Sequence, residues 1–590
     1  MESLWPRIEP LLARVTKPAR YIGGELGAQH PDHHPDRVAW LLVYPDTYEI
    51  GLPNQGLQIL YEILNERSDA VAERAYAPWL DMEAAMRHAG VPLFSIERCG
   101  AAAEFDVLAF NLSAELVYTN VLNLIDLAGL PVRAAQRDAR HPLVIVGGHG
   151  AFNPEPLADF VDAAVLGDGE EAVGEITAVV AAWRQGTTPP GVTAPEGVDP
   201  RSRQALLRTL ATVPGVYVPS LYQPIYAPDG SIVDLERAGE APPVVGRVWL
   251  RDLDADPGAS AVLTPDAELA DMFLVEVARG CARGCLYCLA GYCFLPARER
   301  SPESVLRSAR EGLKQTPKIG LVGAAVADYS HFEEVVRELQ AEGARVSVAS
   351  LRVDSLSEPI ARALAGGGAR TVTLGVEAGS QHLRDLVHKG VSTKDLEKAI
   401  DAAGAAGFAQ AKLYFMIGLP GESDADVEAI GALSVSLGER FAARRRGGRV
   451  VVSVTPFVPK AQTPYQWTAM AEPGLLRERL ARLQTALRPR KIELRAESVD
   501  WALVEGVLAR GDRRLAEVLA RMDRNSLAAW GRALAEQGLS AEFYLRRHRP
   551  VGEVLPWAAV STGVRAAALA KLGGEDAGPG GDAFGQGEPS

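Results

Sequence analysis

Short apolar runs alternate with amphipathic stretches over residues 37–185. The runs Val38–Tyr44, Asp106–Phe110 and Leu143–Val146 are almost entirely apolar, which is typical of parallel strands buried on both faces. Stretches with apolar residues at helical spacing follow them, as in QGLQILYEIL and AELVYTNVLNLIDLAG. This alternation predicts an α/β fold with a doubly wound, Rossmann-like sheet, in which loops at the carboxyl ends of the strands bind ligands.

The same alternation returns between Met272 and Pro464. Six segments there have the composition of strands, namely FLVEV, IGLVG, RVSVAS, TVTLGV, KLYFMIG and VVVSVTP. Between the first two, SPESVLRSAREGLKQ is predicted to be a helix with Ser301 as its N-cap and Pro302 at its first position. Six strand–helix units predict an incomplete (βα)6 barrel, with its chemistry at the carboxyl ends of the strands.

The remaining segments differ in composition from these two regions. A Pro-rich stretch, TTPPGVTAPEGVDP, opens a connector, and amphipathic segments such as LLRERLARLQTAL predict a helical C-terminal region. The Gly-rich end lacks apolar residues, which predicts a disordered tail. The predicted boundaries are 1–36 for a lead-in segment, 37–185 for the Rossmann-like domain, 186–270 for the connector, 271–465 for the barrel, 466–560 for the helical region and 561–590 for the tail.

The composition narrows the class of protein. Apolar residues make up 47% of the 590-residue chain and charged residues 23%, as in globular proteins. The absence of a long apolar run, of a signal peptide at MESLWPRIEP and of a disulfide pattern predicts a cytoplasmic protein with no membrane partner. The net charge of −14 argues against general coating of nucleic acid. Residues 471–550 nevertheless hold more Lys and Arg than Asp and Glu, which indicates solvated helix faces or, alternatively, an RNA-facing surface.

Four of the five cysteines lie in one stretch, VARGCARGCLYCLAGYC, which follows the first predicted barrel strand directly. Cys281, Cys285 and Cys288 have the spacing C-x3-C-x2-C, and three thiolates on one loop can hold three irons of a four-iron, four-sulfur cluster, leaving the fourth iron open. A structural zinc site normally needs a further cysteine pair, which the chain lacks. We interpret Cys293 as a packing residue, with a fourth cluster ligand as the alternative.

The C-x3-C-x-aromatic-C loop after the first strand of a βα barrel resembles that of the radical S-adenosylmethionine (SAM) superfamily. Longer phrases resemble an uncharacterised subgroup with an N-terminal cobalamin-binding-like domain; they are KPARYIGGELGA, PDTYEIGLPNQGLQILYEILNERSD, AFNPEPLADFVDA, KLYFMIGLPGESDADVEAI and TPFVPKAQTPYQW. The resemblance implies that the cluster binds the amino and carboxylate groups of SAM at its open iron. One electron then cleaves the sulfonium to methionine and a 5′-deoxyadenosyl radical.

The resemblance also implies which residues surround SAM. Tyr287 is the aromatic residue before the last cluster cysteine. Gly323, Ala324 and Ala325 stand where the superfamily often has a Gly-Gly-Glu turn at the methionyl amine, and only the first glycine matches. Backbone carbonyls would therefore have to replace the missing carboxylate.

Three later strand ends complete the implied SAM site. Ser350 and Arg352, in VASLRVDS, correspond to polar groups that meet the ribose and the carboxylate. Glu377, in GVEAGSQ, resembles the superfamily's GxExGS segment at the end of the fourth strand. Gly418, in YFMIGLPGE, resembles the fifth-strand segment beside the adenine.

The implied cobalamin contacts lie in the N-terminal domain. Cobalamin domains that displace the lower base have D-x-H-x-x-G after the first strand, and its His binds cobalt. Asp46, Tyr48 and Gly51 occupy those positions here, so Tyr replaces His. The alternatives are cobalamin without a protein ligand to cobalt and a domain that binds nothing. The other implied contacts are Ser113, Gly147 and Gly148.

These features predict a cobalamin-associated radical SAM enzyme that transfers a methyl group to an unidentified substrate or modifies it by another radical reaction. The expected cofactors are a 4Fe-4S cluster, SAM and cobalamin, and the expected partner is an electron donor such as flavodoxin or ferredoxin. One alternative is a cobalamin-free radical enzyme that modifies RNA. The other is a non-enzymatic iron–sulfur sensor or electron-transfer protein.

Overall fold

Two parallel α/β regions, joined by a connector, make up most of the protein. The structure, a computed structural model, describes residues 1–192, 197–239, 241–269, 271–348, 351–522 and 524–575. In this part of the chain, no helix is long and apolar enough to cross a membrane. The predicted α/β class is confirmed.

The N-terminal sheet has six strands, which are β1 (Val38–Tyr44), β2 (Ala70–Tyr76), β3 (Val107–Asn111), β4 (Leu143–Gly147), β5 (Ala163–Val165) and β6 (Val216–Tyr217). Their order is β2-β1-β3-β4-β5-β6, and only the pair of β5 with β6 is antiparallel. The first five follow the order of doubly wound sheets, in which the winding reverses between β1 and β3. Strand β6 extends this sheet beyond the predicted boundary at residue 185.

Helices connect these strands because apolar residues recur at helical spacing along each connection. The helices of the first 210 residues are Trp5–Leu12, Tyr48–Gly51, Gln55–Glu66, Leu80–Ala89, Tyr118–Leu127, Glu170–Arg184 and Arg203–Leu210. The connector then forms a hairpin of β7 (Tyr222–Tyr226) and β8 (Ile232–Arg237). Its last strand, β9 (Val245–Gly246), pairs in parallel with Val560–Ser561.

The second region contains seven parallel strands, which are β10 (Phe273–Glu276), β13 (Lys318–Val322), β14 (Arg345–Val348), β15 (Thr371–Glu377), β16 (Gln410–Ile417), β17 (Arg449–Pro456) and β18 (Glu493–Ala496). They form a three-stranded and a four-stranded sheet, ordered as in the chain, and a bridge between Leu351 and Leu374 links the two. Six of them coincide with the six predicted strands. Between β10 and β13, β11 (Ala278–Arg279) and β12 (Arg298–Glu299) form a short antiparallel ribbon.

Helices follow the strands of the second region and make up most of the C-terminal region. They are Ala290–Cys293, Pro302–Leu313, Phe332–Ala341, Glu358–Gly366, Gln381–Leu386, Thr393–Ala406, Asp424–Arg444, Pro473–Leu487, Val499–Ala509, Leu515–Ala520, Leu527–Glu536, Ala541–Leu545 and Ala566–Gly573. The Ser301 side chain accepts a hydrogen bond from the Ser304 N–H and caps its helix as predicted.

Two expectations about the C-terminal part need correction. The region predicted to be helical contains the strand β18. Its sequence, ELRA, has few apolar residues, and β18 is held by backbone hydrogen bonds to β17 at the edge of the sheet. The tail predicted to be disordered from residue 561 includes the helix Ala566–Gly573, which buries Leu569 and Ala570. Residues 576–590 lie outside the described part of the chain.

Candidate active site

The cysteine loop spans residues 280–297 and is closed at its base by the ribbon of β11 and β12. The ribbon pairs Ala278 with Glu299 and Arg279 with Arg298. Gly280 begins the loop with a φ of +85°, and a Cβ atom there would lie 2.3 Å from the Phe294 carbonyl oxygen. Glycine is required at this position because a side chain would separate the two ends of the loop.

Three loop cysteines share one environment. Cys285 is buried, and Cys281 and Cys288 are half-buried. Burial raises the pKa of the Cys288 thiol, and the neighbouring Cys285 and Cys281 raise it further, because adjacent thiolates repel one another. Cys288 exerts the same effect on the pKa of Cys293, so this repulsion does not by itself distinguish three of the cysteines from the fourth.

Cys293 faces a different environment. It ends the short helix Ala290–Cys293, is fully buried and belongs to the main hydrophobic core. Burial is the main reason why its pKa rises to about 12. This position favours the interpretation of Cys293 as a packing residue.

The donor atoms fit a cluster better than a single ion. Among the described residues, no group of three or more His, Cys, Asp or Glu side chains is arranged to hold one metal ion. An iron–sulfur cluster needs less convergence, because each thiolate binds a different iron atom of an assembly several ångströms wide. Cys281, Cys285 and Cys288, on one loop at the end of β10, fit that requirement.

A small hydrophobic cluster lies beneath the cysteine loop. Its buried members come from the loop and from the segments that follow β15, β16 and β17; they are Leu286, Ala378, Leu383, Val387, Leu419, Phe457 and Tyr465. Tyr287 packs against this cluster, and the Leu286 N–H donates to the Val387 carbonyl (3.2 Å). Burial raises the pKa of Tyr287, and the nearby Glu377 carboxylate raises it further. The loop therefore lies over the carboxyl ends of β15, β16 and β17.

Glu377 is held at the end of β15 by a lysine. The Lys389 ammonium donates to Glu377 Oε1 over 2.9 Å, and both side chains are largely buried. Glu377 has a φ of +70°, which is rare for a residue with a side chain. A Cβ on Gly375 would lie 2.8 Å from Glu377 Oε1, so the neighbouring glycine makes room for this carboxylate.

The other predicted SAM residues surround the same edge. Gly323 and Ala324 are exposed after β13, Ala325 is half-buried, and a Cβ on Gly323 would lie 2.8 Å from the Ala278 carbonyl. The Arg352 guanidinium binds Asp354 (3.0 Å) and the carbonyl of Lys389 (3.2 Å). Ser350 lies outside the described residues.

Gly418 is buried against the C-terminal region. Its φ is +83°, and a Cβ there would lie 2.8 Å from the side chain of Leu476. Its N–H donates to Glu422 Oε2 (2.6 Å), and Glu422 also accepts from Arg479 (2.5 Å). Packing between β16 and the helix Pro473–Leu487 thus accounts for this glycine, whose contact with adenine stays a prediction.

The residues around Tyr48 do not fit a cobalt ligand. Tyr48 is buried, and its hydroxyl donates to Glu25 of the lead-in segment (2.9 Å). Burial raises its pKa far above the usual phenol value, so the oxygen stays protonated. A Cβ on Gly51 would lie within 2.8 Å of the rings of Tyr44 and Tyr76, so packing of those rings explains this glycine. Asp46 accepts a hydrogen bond from the Thr47 N–H at the start of the same short helix.

The other half of the predicted cobalamin edge is more open and adjoins the cysteine loop. Ser113, Gly147 and Gly148 are all half-buried at the ends of β3 and β4. A Cβ on Gly147 would meet nothing closer than 3.8 Å, whereas one on Gly148 would lie 2.8 Å from the Leu112 carbonyl. The ring of His149 stands 6.4 Å from that of Phe294 in the cysteine loop. A flat corrinoid bound at this edge would receive no cobalt ligand from the segment after β1, because Tyr48 is already hydrogen-bonded to Glu25.

Sequence reasoning missed several residues that support the site. Lys389 pairs with Glu377. In the sequence, this pairing is indicated only by the position of a basic residue shortly after GVEAGSQ. Arg384 is fully buried and donates to the carbonyls of Ala378 and Gly379, which fixes the turn after Glu377. His149 follows the glycine pair directly, and burial lowers its pKa so that the ring is neutral at pH 7.

Part of the basic surplus of residues 471–550 is used inside the protein. Several of its arginines form ion pairs with carboxylates, namely Arg479 with Glu422, Arg513 with Glu155, Arg514 with Asp512, Arg546 with Glu472 and Arg547 with Glu553. Arg510 and Arg549 are buried and donate to backbone carbonyls. These contacts give part of the surplus a structural role, whereas other basic residues of this stretch, such as Arg477, Arg490 and Arg495, are exposed.

Two curated relatives match parts of the chain. The uncharacterized protein MJ0966 of Methanocaldococcus jannaschii is 32% identical over 249 residues, which are 42% of this chain and 54% of that protein. The uncharacterized methyltransferase PH0819 of Pyrococcus horikoshii is 27% identical over 194 residues, which are 31% and 42% of the two chains. The chain thus spans about half the length of these relatives.

Two solved structures align with much of the chain at low TM-scores. The radical SAM methyltransferase TsrM of Kitasatospora setae, with cobalamin and a [4Fe-4S] cluster bound, has a TM-score of 0.45 and 15% identity, and covers 71% of this chain and 72% of its own. The cobalamin-dependent radical SAM enzyme OxsB, with aqua-cobalamin and SAM bound, has a TM-score of 0.44 and 12% identity. The alignment covers 85% of this chain and 71% of OxsB. Similarities at this level do not bear on the chemistry of this chain.

Two family models match its two α/β regions. Residues 56–219 match "Radical SAM proteins, N-terminal", and residues 275–433 match "Radical SAM superfamily". The second match includes the three clustered cysteines and the strand ends on which the SAM site is predicted. The chain therefore contains a region that matches the radical SAM core, preceded by a region that matches the N-terminal part of radical SAM proteins.

Proposed function

We propose that the protein is an enzyme that holds a four-iron, four-sulfur cluster on Cys281, Cys285 and Cys288 and uses it to cleave SAM. One observation carries this proposal: Cys281, Cys285 and Cys288 lie together on the loop at the carboxyl end of β10, whereas Cys293 is fully buried in the main hydrophobic core. When bound, the cluster supplies the electron that cleaves the sulfonium.

The protein's own residues would position SAM and exclude water. Glu377, fixed by Lys389, offers a carboxylate to a hydroxyl or ammonium group of SAM. Tyr287 and the hydrophobic cluster under the loop cover the strand ends, and a dry site strengthens electrostatic contacts there. Contacts of SAM with Gly323, Ala324, Ala325, Ser350, Arg352 and Gly418 belong to the same proposal.

Association with cobalamin is the finer part of the proposal, and methyl transfer is the reaction it would serve. Support comes from the half-buried edge of Ser113, Gly147 and Gly148, which adjoins the cysteine loop through the contact of His149 with Phe294. The methyltransferase name of PH0819 agrees with this reaction. Because Tyr48 is buried against Glu25, the corrinoid would take no cobalt ligand from that side chain.

The partners follow from the chemistry. An electron donor of the flavodoxin or ferredoxin class would reduce the cluster, and the substrate is a molecule whose carbon or heteroatom accepts a methyl group or loses hydrogen. RNA as the substrate stays a prediction, since only part of the basic surplus of residues 471–550 is used in buried pairs. A cytoplasmic site of action, with no membrane partner, is part of the proposal.

Anaerobic SAM cleavage tests the proposal. Reconstituted protein is incubated with SAM and dithionite, and 5′-deoxyadenosine is measured by chromatography. We expect product from the wild type and from Cys293→Ala, and none from Cys281→Ala, Cys285→Ala or Cys288→Ala.

Two results would contradict it. If the wild type holds four irons and releases no 5′-deoxyadenosine, the catalytic part fails. If Cys293→Ala loses the cluster as completely as Cys285→Ala does, four protein thiolates hold it, and the protein is a sensor or electron carrier.

A further inference from the structure

The turn after β5 contacts the base of the cysteine loop. This turn, VLGDGE, covers residues 165–170, and Gly167 has a φ of +98°. A Cβ on Gly167 would lie 1.9 Å from the Val248 carbonyl oxygen, so glycine is needed for the turn to dock on the connector. Docking aims Asp168 and Glu170 toward β11 and β12.

Asp168 binds both arginines of the ribbon that closes the loop. Its Oδ2 lies 2.6 Å from Arg298 Nη1, and its Oδ1 lies 3.2 Å from Arg279 Nη1. The Leu250 N–H also donates to Oδ2 (2.8 Å). Burial alone would raise the pKa of Asp168, but the two guanidinium groups outweigh it and lower the pKa, so the carboxylate is charged.

Arg279 connects this contact to the barrel. Its Nη1 lies 2.7 Å from Glu170 Oε1, and its Nε donates to Glu276 of β10 over 2.9 Å. All five side chains of the network are at most 12% exposed. Ion pairs buried to this degree are poorly screened by salt and hold their partners in fixed geometry.

We propose that Asp168 is a positioning residue of the cluster: with Glu170 it anchors Arg279 and Arg298, one at each end of the cysteine loop, and so makes the N-terminal domain part of the cluster's support. This inference rests on the proposed cluster at the three cysteines. It gives the N-terminal domain a role whether or not that domain binds cobalamin.

Two consequences follow for the cluster. Arg279 lies two residues before Cys281, so freeing its guanidinium loosens the loop at its first ligand. Replacing Asp168 by Asn also removes one negative charge from the base of the loop. Because reduction adds an electron to the cluster, loss of that charge favours the reduced form and raises the reduction potential.

The test compares Asp168→Asn with a matched variant at the other end of the same strand. Asp162 precedes β5, is 1% exposed, and binds Arg203 (2.7 Å) and the Val144 N–H (2.8 Å), so it has the same burial and chemistry away from the loop. Full-length reconstituted proteins are compared by iron content, by the electron paramagnetic resonance (EPR) spectrum of the reduced cluster, and by redox titration. Thermal unfolding of each protein records any general loss of stability.

We expect Asp168→Asn to lose iron several-fold faster on gel filtration and to have a higher reduction potential, while Asp162→Asn keeps the wild-type values. Glu170→Gln, which removes one ion pair of Arg279, should raise the reduction potential by a smaller amount. This variant replaces Asp168→Asn in the test if Asp168→Asn does not fold. The proposal is overturned if the Asp168 or Glu170 variant matches Asp162→Asn in iron retention, spectrum and potential. A wild type without a cluster would instead refute the proposed function itself.

Discussion

Lys389→Met should destabilise the second α/β region because it leaves the Glu377 carboxylate buried without a counter-charge. The Nζ–Oε1 distance is 2.9 Å, and the two side chains are 9% and 17% exposed. The attraction at that distance is about 6 kcal/mol at an effective dielectric constant near ~20. Removing one partner of a buried pair costs about 3–5 kcal/mol, and the residual exposure of Glu377 favours the lower end, about 3 kcal/mol.

Calorimetry of the apo-protein measures this loss. A cost of about 3 kcal/mol lowers the unfolding midpoint of a unit of ~150–250 residues by roughly 6–12 °C. The double variant Lys389→Met/Glu377→Gln has no unpaired charge and should recover at least half of the shift. SAM binding should also weaken in Lys389→Met if Glu377 contacts SAM.

Lys314→Met is the matched control. Its ammonium lies 2.6 Å from Glu311, but the two side chains are 68% and 62% exposed, so the pair is worth less than about 1 kcal/mol. The reasoning fails if the two lysine variants lower the midpoint equally, or if the double variant at Lys389 and Glu377 is no more stable than the single one.

Three further predictions concern buried groups. Because the pKa of Cys293 is about 12, its thiolate fraction at pH 8 is about one in ten thousand. Iodoacetamide should therefore label Cys293 only after unfolding, and rapid labelling of this residue in the native protein would contradict its burial. Burial lowers the pKa of His149 below the unfolded value of ~6.5, so the free energy of unfolding should fall as pH drops below that value. Urea titrations at pH 5 and 8 should show a smaller fall for His149→Gln than for the wild type, and an equal fall would refute the prediction. Tyr48→Phe should lower the free energy of unfolding by about 1–2 kcal/mol, because the buried Glu25 carboxylate loses a hydrogen-bond donor. The same variant should bind cobalamin as tightly as the wild type, and weaker binding would show that the phenol contacts the corrinoid.

Local patterns account for the parts of the site that the sequence predicted. The strand before the cysteine loop is a short run that is apolar except for Glu276, and the cysteine spacing is a property of the loop alone. The helix cap at Ser301 likewise depends on residues three apart. Such features need no knowledge of distant partners, which is why periodicity and spacing identify them.

Contacts between distant segments could not be predicted in this way. Asp168 and Arg298 are 130 residues apart, and nothing in either local sequence indicates the pair. Gly51 and Gly418 were predicted to approach ligands, but the rings of Tyr44 and Tyr76 and the side chain of Leu476 occupy the space beside them. A glycine signals a close approach, and only the tertiary structure identifies what approaches.

The EPR spectrum of the reduced protein, recorded with and without SAM, tests the central claim most directly. If Cys281, Cys285 and Cys288 are the only protein ligands, one iron is open, and SAM should change the spectrum of both the wild type and Cys293→Ala. A four-iron spectrum that SAM leaves unchanged would mean that every iron already has a protein ligand, and it would contradict the account.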